Sequence, residues 1–132
     1  EGGTFGLAST PDLVIPVGIL GLITKKPLTI ENVAHARRKE TDRIQALASE
    51  LLKVGMGVTQ FHDGLTIERY NGVHGAVLDS YDDHRMFMGM TVVGIYVGNT
   101  QVNGLESVNV SFPGFVKEMQ KIGADIKVLA RS

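Results

Sequence analysis

The spacing of hydrophobic positions predicts two kinds of helix in the first half of the chain. Residues 12–23 are apolar on almost every side, which predicts a buried helix, although Pro16 and two glycines are unfavourable inside one. In residues 41–54 the apolar positions recur every three or four residues, which is typical of an amphipathic helix. Thr41 is placed to cap that helix and Gly55 to end it.

Alternating segments and turn signals predict the other elements. Asp63-Gly64 lies between two short alternating segments and is a strong hairpin signal. A second mostly apolar helix begins at the acidic pair Asp82-Asp83. In chain order, we predict strands at 26–30, 58–61, 65–68, 100–102 and 125–129, and helices at 82–97 and 113–122.

This order of elements occurs twice: buried helix, strand, loop, amphipathic helix, glycine, strand. The starts of the two buried helices are 71 positions apart, and the ends of the two amphipathic helices are 68 apart. Chance similarity of two α/β segments is the alternative. A period near 70 is too long for a solenoid repeat. We therefore predict one α/β domain of βαβαββ-like units, at about 1–70 and 71–132, with the second unit stopping before its hairpin is complete.

Composition narrows the class of protein. The chain has 132 residues, enough for one domain, and a net charge of −1, which predicts no nucleic-acid partner. It has no cysteine, which excludes disulfides and thiolate chemistry and is compatible with a cytoplasmic location. No apolar run is long enough to span a membrane, so we expect no membrane partner. The start at Glu1-Gly2-Gly3 rather than Met suggests a piece of a longer protein.

The densest charge cluster occupies residues 37–43, just before and within the first turn of the amphipathic helix. Four cations at a helix N-terminus oppose the helix dipole, and an anion bound among them would relieve this. The alternative is a solvated charged face in which Glu40 pairs with Arg43.

A second cluster, residues 81–85, lies at the start of the other apolar helix. An Asp there is a good N-cap, and Asp82 can pair with Arg85. If Arg85 is buried it needs either a protein carboxylate or an anionic ligand. Together the two clusters predict a site for a small polyanion with proton transfer beside it. Neither nucleotide-binding glycine motif is present, and we predict neither a metal set nor a Ser-His-Asp triad.

Four segments of the chain resemble one enzyme family in order and spacing. They are Pro11-Asp12 at the start of a buried helix, KETDR at residues 39–43, YDDHRM at residues 81–86, and Phe112-Pro113 before a last helix. All four resemble hallmarks of the 5-enolpyruvylshikimate-3-phosphate (EPSP) synthases. The UDP-N-acetylglucosamine enolpyruvyl transferases share that fold but lack KETDR and DHRM, which places them second.

The resemblance implies an α/β (α+β) fold of two similar domains, each of three βαβαββ units with buried helices and sheets outside. Residues 1–132 would then be about two units of the C-terminal domain, and the N-terminal domain would be a missing partner. The implied reaction transfers the enolpyruvyl group of phosphoenolpyruvate to the 5-hydroxyl of shikimate 3-phosphate and releases phosphate, in aromatic amino-acid biosynthesis. It needs no cofactor, and the active site lies between the domains.

The resemblance also implies residue roles. Phosphoenolpyruvate would be held by Arg43, His84 and Arg85. The catalytic groups would be Asp12, which accepts the hydroxyl proton, Lys39, which stabilises charge or carries a proton, and Glu40, which transfers protons. Shikimate 3-phosphate would contact Asp12, His35 and Lys39.

Two positions depart from the family pattern. His35 stands where many members have Asn, and Val110 stands where many have a Lys on the phosphoenolpyruvate side. Either Lys117 substitutes for that lysine or the site is altered. A non-catalytic anion-binding domain remains a second possibility. For these 132 residues alone we expect no activity, because the opposite domain is absent.

Overall fold

A computed structural model describes residues 2–69 and 72–129, and the described chain begins with a strand, a helix and a second strand. Strand β1 (Gly3–Gly6) precedes helix α1 (Val14–Ile19), and strand β2 (Leu28–Glu31) follows it. Short 3₁₀ turns at Pro11–Leu13 and Leu20–Leu22 extend α1 at both ends, so the predicted helix at 12–23 is helical almost throughout.

Burial of this helical segment is one-sided, contrary to the prediction from its apolar sequence. Val14, Ile15 and Leu22 are buried against the rest of the domain. Leu20 and Ile23, in contrast, are 45% and 55% exposed. Among the described residues, other parts of the chain pack against only one side of the segment 12–23.

The first sheet contains β1, β2, β3 (Gly57–Phe61) and β4 (Gly64–Glu68), which lie in the spatial order β1-β2-β4-β3. Strand β1 runs parallel to β2, whereas β2 and β4 are antiparallel. Strands β3 and β4 form the hairpin that Asp63-Gly64 predicts. Leu28 and Ile30 on β2 and Leu65 and Ile67 on β4 point into the core, as alternation requires.

Helix α2 (Arg43–Lys53) follows a 3₁₀ turn at Ala34–Arg38 and packs under the first sheet. Its N-cap is Asp42 rather than the predicted Thr41, because the Asp42 carboxylate accepts the backbone N–H of Gln45 at 3.0 Å. Thr41 lies one residue too early for that bond. Gly55, with a φ of 97°, ends the helix as predicted.

The second half of the chain begins with a shorter βαβ arrangement. Strand β5 (Val77–Asp79) is parallel to β6 (Gln101–Asn103), and helix α3 (His84–Val97) connects them. A 3₁₀ turn at Leu105–Val108 and helix α4 (Phe115–Lys121) follow.

The predicted strand at 125–129 is wrong. Those residues are irregular, and no described strand lies beside them to complete a ladder. Instead, the carbonyl of Ile126 accepts a hydrogen bond from the Gln120 side chain at 2.8 Å. The order strand, helix, parallel strand, 3₁₀ turn, helix nevertheless occurs twice among the described residues. A division into repeat units at about 1–70 and 71–132 stays a prediction.

The main hydrophobic core lies between the first sheet and helices α1, α2 and α3. It includes Ile15, Ile30, Leu47, Ile67 and Met90, so both halves of the chain contribute to it. Because the three helices share one core, their N-terminal residues are held at fixed relative positions. Within the described ranges, no helix is long and apolar enough to cross a membrane.

Candidate functional site

Charged side chains meet where three helical segments begin. Asp12 lies in the 3₁₀ turn before α1, Arg43 is the first residue of α2, and Arg85 is the second residue of α3. Lys39 and Glu40 lie in the loop that leads into α2. The structure thus brings together most of the residues that the two charge clusters and the Pro11-Asp12 segment single out.

Arg43 is the centre of this cluster and is almost completely buried, with its side chain 2% exposed. Its Nε donates to Asp83 Oδ2 at 2.9 Å, and its Nη1 donates to Asp12 Oδ1 at 3.1 Å. Its Nη2 donates to Glu40 Oε2 at 3.0 Å and to Asp83 Oδ1 at 3.3 Å. A buried guanidinium requires such compensation, and here three carboxylates provide it.

Asp12 is shared among three cations. In addition to the bond with Arg43, its Oδ1 lies 3.8 Å from Lys39 Nζ and its Oδ2 lies 3.6 Å from Arg85 Nη2. The Asp12 side chain is half exposed, as is that of Arg85. An anionic ligand that enters from solvent would therefore have to compete with the Asp12 carboxylate for these cations.

Asp83 has two functions, as a helix cap and as the buried counter-ion of Arg43. Its Oδ1 accepts the backbone N–H groups of Arg85 and Met86 at 2.8 and 3.2 Å, which caps α3. The same fully buried carboxylate binds Arg43 on α2. Its place before an apolar helix indicated a cap, but no local pattern indicates a partner 40 positions away. The predicted pair of Asp82 with Arg85 is wrong, since Arg85 pairs with Asp12.

His84 lies beside Glu40, with 3.3 Å between His84 Nδ1 and Glu40 Oε2. One oxygen or nitrogen each from Glu40, Asp83 and His84 lies within 4.8 Å of the others, a spacing that a metal ion could bridge. Both carboxylates, however, already bind the Arg43 guanidinium, whose positive charge would repel a cation. We therefore propose no metal at this position.

Three other predicted residues are not joined to the cluster. His35 is half-buried in the 3₁₀ turn Ala34–Arg38, and in the described part of the chain no hydrogen bond or ion pair connects it to the charged groups. Val110 is 95% exposed. Lys117 is exposed on α4 and lines a separate groove with Val108. Neither Val110 nor Lys117 has a described contact with the cluster.

Arg37, one of the four cations at 37–43, is occupied by the protein itself. It donates to the carbonyls of His62 and Phe61, to Gln60 Oε1 and to Asp42 Oδ2. These bonds connect the tip of the β3–β4 hairpin to the cap of α2. Arg37 therefore orders the loop that carries Lys39 and Glu40 and is not available to an external anion.

A mostly apolar groove of about 350 Å³ adjoins Arg85. Helices α1 and α3 form its walls. The residues that line it are Ile15, Pro16, Ile19, Leu20, Arg85, Met88, Gly89, Val92 and Phe115. Arg85 thus lies between the charged cluster and an apolar surface.

The mixed four-stranded sheet, the parallel pair β5–β6 and the three packed helices form an α/β domain whose solved structural neighbours are EPSP synthases, which have the enolpyruvate transferase fold. The family model for EPSP synthase (3-phosphoshikimate 1-carboxyvinyltransferase) matches residues 2–127. The chain therefore belongs to the EPSP synthase family.

Individual relatives agree with this assignment. The 3-phosphoshikimate 1-carboxyvinyltransferase of Nitrosopumilus maritimus is 49% identical over 127 residues, which are 96% of this chain and 30% of that protein. The enzyme of Methanosarcina mazei is 44% identical over 124 residues, 94% of this chain and 29% of that protein. A solved structure of EPSP synthase from Acinetobacter baumannii has a TM-score of 0.76 and 28% identity, covering 91% of this chain and 28% of that one. The chain spans about 30% of the length of these curated relatives.

Proposed function

We propose that residues 1–132 form part of the C-terminal domain of a full-length 3-phosphoshikimate 1-carboxyvinyltransferase. In this proposal the chain supplies the half of the active site that binds phosphoenolpyruvate, and a missing N-terminal domain supplies the rest. The observation that carries the proposal is the meeting of Asp12, Lys39, Arg43 and Arg85 at three helix starts. Convergent cations beside half-exposed carboxylates suit a polyanionic substrate that must also exchange protons.

Ligand binding at this site would exchange one set of ion pairs for another. Arg85 and Lys39 are partly exposed, and their ion pairs with Asp12 are long: 3.6 Å from Arg85 Nη2 to Oδ2 and 3.8 Å from Lys39 Nζ to Oδ1. The carboxylate and phosphate of phosphoenolpyruvate can displace Asp12 from them, because a guanidinium binds these groups in bidentate geometry. Arg43 would contact the ligand only after Asp12 or Glu40 leaves its Nη atoms.

Displaced from the arginines, Asp12 would be free to act on the acceptor substrate. It would accept the proton of the 5-hydroxyl of shikimate 3-phosphate while that oxygen attacks C2 of phosphoenolpyruvate. His35, in the 3₁₀ turn that packs against the Asp12 segment, would contact the same substrate. Lys39 would lie between both substrates and stabilise the charge that develops.

Glu40 and His84 would transfer protons to and from the methylene carbon of phosphoenolpyruvate. Glu40 in its protonated form would donate to the methylene carbon as the new C–O bond forms. In the second step it would take a proton back from the methyl carbon while the C2–O bond to phosphate breaks. The proton that Asp12 took from the hydroxyl would pass to the departing oxygen, so that inorganic phosphate leaves as hydrogen phosphate and both carboxylates return to their starting states. His84, whose Nδ1 lies 3.3 Å from Glu40 Oε2, would hold phosphoenolpyruvate and exchange a proton with that carboxylate.

The test is acceptor-dependent release of phosphate by the full-length protein. We expect phosphate release from phosphoenolpyruvate with shikimate 3-phosphate and none with UDP-N-acetylglucosamine. Release with the second acceptor alone would overturn the choice of substrate. A second candidate is a domain that binds an anion without catalysis. The partial exposure of Lys39 and Arg85 favours anion binding, and the saturation of Arg43 by the chain's own carboxylates leaves it no catalytic task. Binding of phosphoenolpyruvate by the full-length protein, without turnover on either acceptor, would support that candidate.

A further inference from the structure

Glu50 is a buried carboxylate for which the proposed mechanism has no use. It lies on α2, seven residues after Arg43, and its side chain is fully buried. Its Oε1 accepts the backbone N–H of Asp79 and the Nζ of Lys53, both at 2.8 Å, and its Oε2 accepts the hydroxyl of Tyr81 at 2.7 Å. Burying a charge is costly, so three short hydrogen bonds are needed to retain it.

The turn that Glu50 contacts has an unfavourable backbone conformation. Tyr81 and Asp82 have φ angles of 56° and 57°, in the left-handed region that side chains with a Cβ seldom adopt. Two such residues in succession persist only where surrounding contacts hold them. Here the backbone N–H of Tyr81 donates to Asp79 Oδ1 at 3.1 Å, and its hydroxyl donates to Glu50.

This turn determines where Asp83 lies. Asp83 follows the two left-handed residues, binds Arg43 and caps the helix that carries Arg85. Residues seven apart lie on one face of a helix. That face of α2 therefore contacts both ends of the turn, Glu50 at its start and Arg43 at its end.

We propose that Glu50 and Tyr81 are positioning residues for the phosphoenolpyruvate half of the site. They act through the turn at 80–83: their hydrogen bond holds the left-handed backbone, and the backbone places Asp83 against Arg43 and at the start of α3. Loss of the Tyr81 hydroxyl would let the turn relax and would shift both Arg43 and the helix that carries Arg85. The consequence for catalysis rests on the proposed function, whereas the consequence for Arg43 does not.

The test compares Tyr81→Phe with Tyr96→Phe in the full-length protein. Tyr81→Phe removes the hydroxyl that Glu50 accepts and keeps the ring. Tyr96 is exposed, and its hydroxyl accepts a 3.4 Å hydrogen bond from Arg69, which belongs to neither charge cluster, so Tyr96 is a suitable control. One readout is the Nε–Hε NMR signal of Arg43 in protein labelled with ¹⁵N-arginine, assigned by its loss in Arg43→Lys.

We expect Tyr81→Phe to shift and broaden the Arg43 signal and to raise the KM for phosphoenolpyruvate about tenfold, the effect of one hydrogen bond to a charged group. The KM for shikimate 3-phosphate should change less than about twofold, a split that a general loss of stability would not produce. Tyr96→Phe should change neither quantity. If Tyr81→Phe does not fold, Glu50→Gln, which keeps the shape and one acceptor oxygen, takes its place with the same expectations.

An unchanged Arg43 signal together with a KM for phosphoenolpyruvate equal to that of the control would overturn the positioning role. A shifted Arg43 signal in a protein whose unsubstituted form does not consume phosphoenolpyruvate would support the positioning role and overturn the proposed function. Equal increases in both KM values, with the Arg43 signal in place, would assign Tyr81 to stability alone and would also overturn the proposal.

Discussion

Arg43 and Arg85 are both arginines at helix starts, yet their surroundings differ in a way that decides what each can do. Arg43 is buried and bound by three carboxylates. Arg85 is half exposed and has one carboxylate at 3.6 Å. An exposed pair of this kind contributes little to folding, whereas one partner of a buried pair cannot be removed without leaving an uncompensated charge.

Replacement of Arg85 should therefore affect activity much more than stability. In the full-length protein, we expect Arg85→Ala to lower kcat/KM by about 10² or more, the usual effect of removing one preorganised charge partner. The urea midpoint should change by the equivalent of about 1 kcal/mol or less. Lys117→Ala, which removes an exposed cation on α4, is the control and should alter neither. Normal turnover by Arg85→Ala would contradict its role.

Arg43→Ala, in contrast, should reduce the stability of the protein strongly. It leaves Asp83 buried without its main counter-ion, which costs about 3–5 kcal/mol of unfolding free energy. Urea unfolding of this variant beside Arg85→Ala measures the difference. Equal stabilities for the two variants would show that the burial of Arg43 has no energetic consequence.

The raised pKa of Tyr81 predicts that the protein loses stability in strong alkali. Burial, followed by the hydrogen bond to the Glu50 carboxylate and its negative charge, raises the pKa of Tyr81 from 10.0 to about 12. Because the folded pKa exceeds the unfolded one, this stabilisation is complete below pH 10.0 and is lost as the pH rises towards about 12. Tyrosinate absorbance should show a late-ionising component that is missing in Tyr81→Phe. Ionisation of every tyrosine near its ordinary pKa would contradict the contact with Glu50.

At the scale of elements, helix α1 packs closely across α3 at a glycine. A Cβ added at Gly89 would lie 2.6 Å from Ile15 Cγ2 and 3.0 Å from Ile19 Cδ1. Both distances are shorter than normal packing allows, so Ile15 and Ile19, or the helix that carries them, would have to shift. Since Asp12 lies just before α1 and Arg85 is on α3, this contact also determines the spacing of the charged cluster.

Gly89→Ala should accordingly destabilise the protein by about 1–3 kcal/mol, even though alanine is the better helix former by about 1 kcal/mol. Chemical unfolding of the full-length protein measures this. Gly94→Ala, where the closest atoms are at 3.2 Å on Thr100, is a control on the same helix that should cost less. A Gly89→Ala protein as stable as the parent would mean that Ile15 and Ile19 accommodate the added methyl group without cost.

Local sequence pattern predicted the elements well and long-range contacts poorly. Periodicity and the Asp63-Gly64 turn predicted α2 and the hairpin, because both depend on neighbours within a few residues. The strand predicted at 125–129 failed because a strand also needs a partner, and no local signal supplies one. Turn chemistry gave no warning that Tyr81 would adopt a left-handed conformation.

For the candidate site, too, local pattern identified residues but not their long-range contacts. Its cations and Asp12 could be named from helix-start patterns and a family resemblance. The double use of Asp83 and the contacts of Glu50 could not, since they join positions 40 and 31 residues apart that meet only in the folded chain. The capture of Arg37 by the hairpin is likewise a tertiary contact, 25 residues distant from His62.

At the scale of the whole molecule, the charged cluster is open on one side. Asp12, Glu40 and Arg85 are each about half exposed, and the apolar groove beside Arg85 is uncovered in the described residues. Enzymes of this chemistry gain from excluding water and aligning both substrates, which an open site does not do.

We therefore expect the 132-residue chain alone to release no phosphate from phosphoenolpyruvate and to bind it weakly. Because the available cations face solvent, binding should weaken strongly between about 0.01 M and 1 M salt, as the Debye length falls from about 30 Å to about 3 Å. An NMR titration with phosphoenolpyruvate at both salt concentrations measures this, with the Arg85→Ala chain as control. Tight binding that is insensitive to salt would mean that this chain encloses the ligand without a second domain.

The double use of Asp83 also constrains how this sequence can evolve. One carboxylate is the counter-ion of α2 and the cap of α3, so a change at position 83 is felt at both helices and a change at position 43 leaves a buried charge behind. A single substitution at either position would therefore give a poorly folded protein. Positions 43 and 83 should consequently co-vary across the family, being retained together or replaced together.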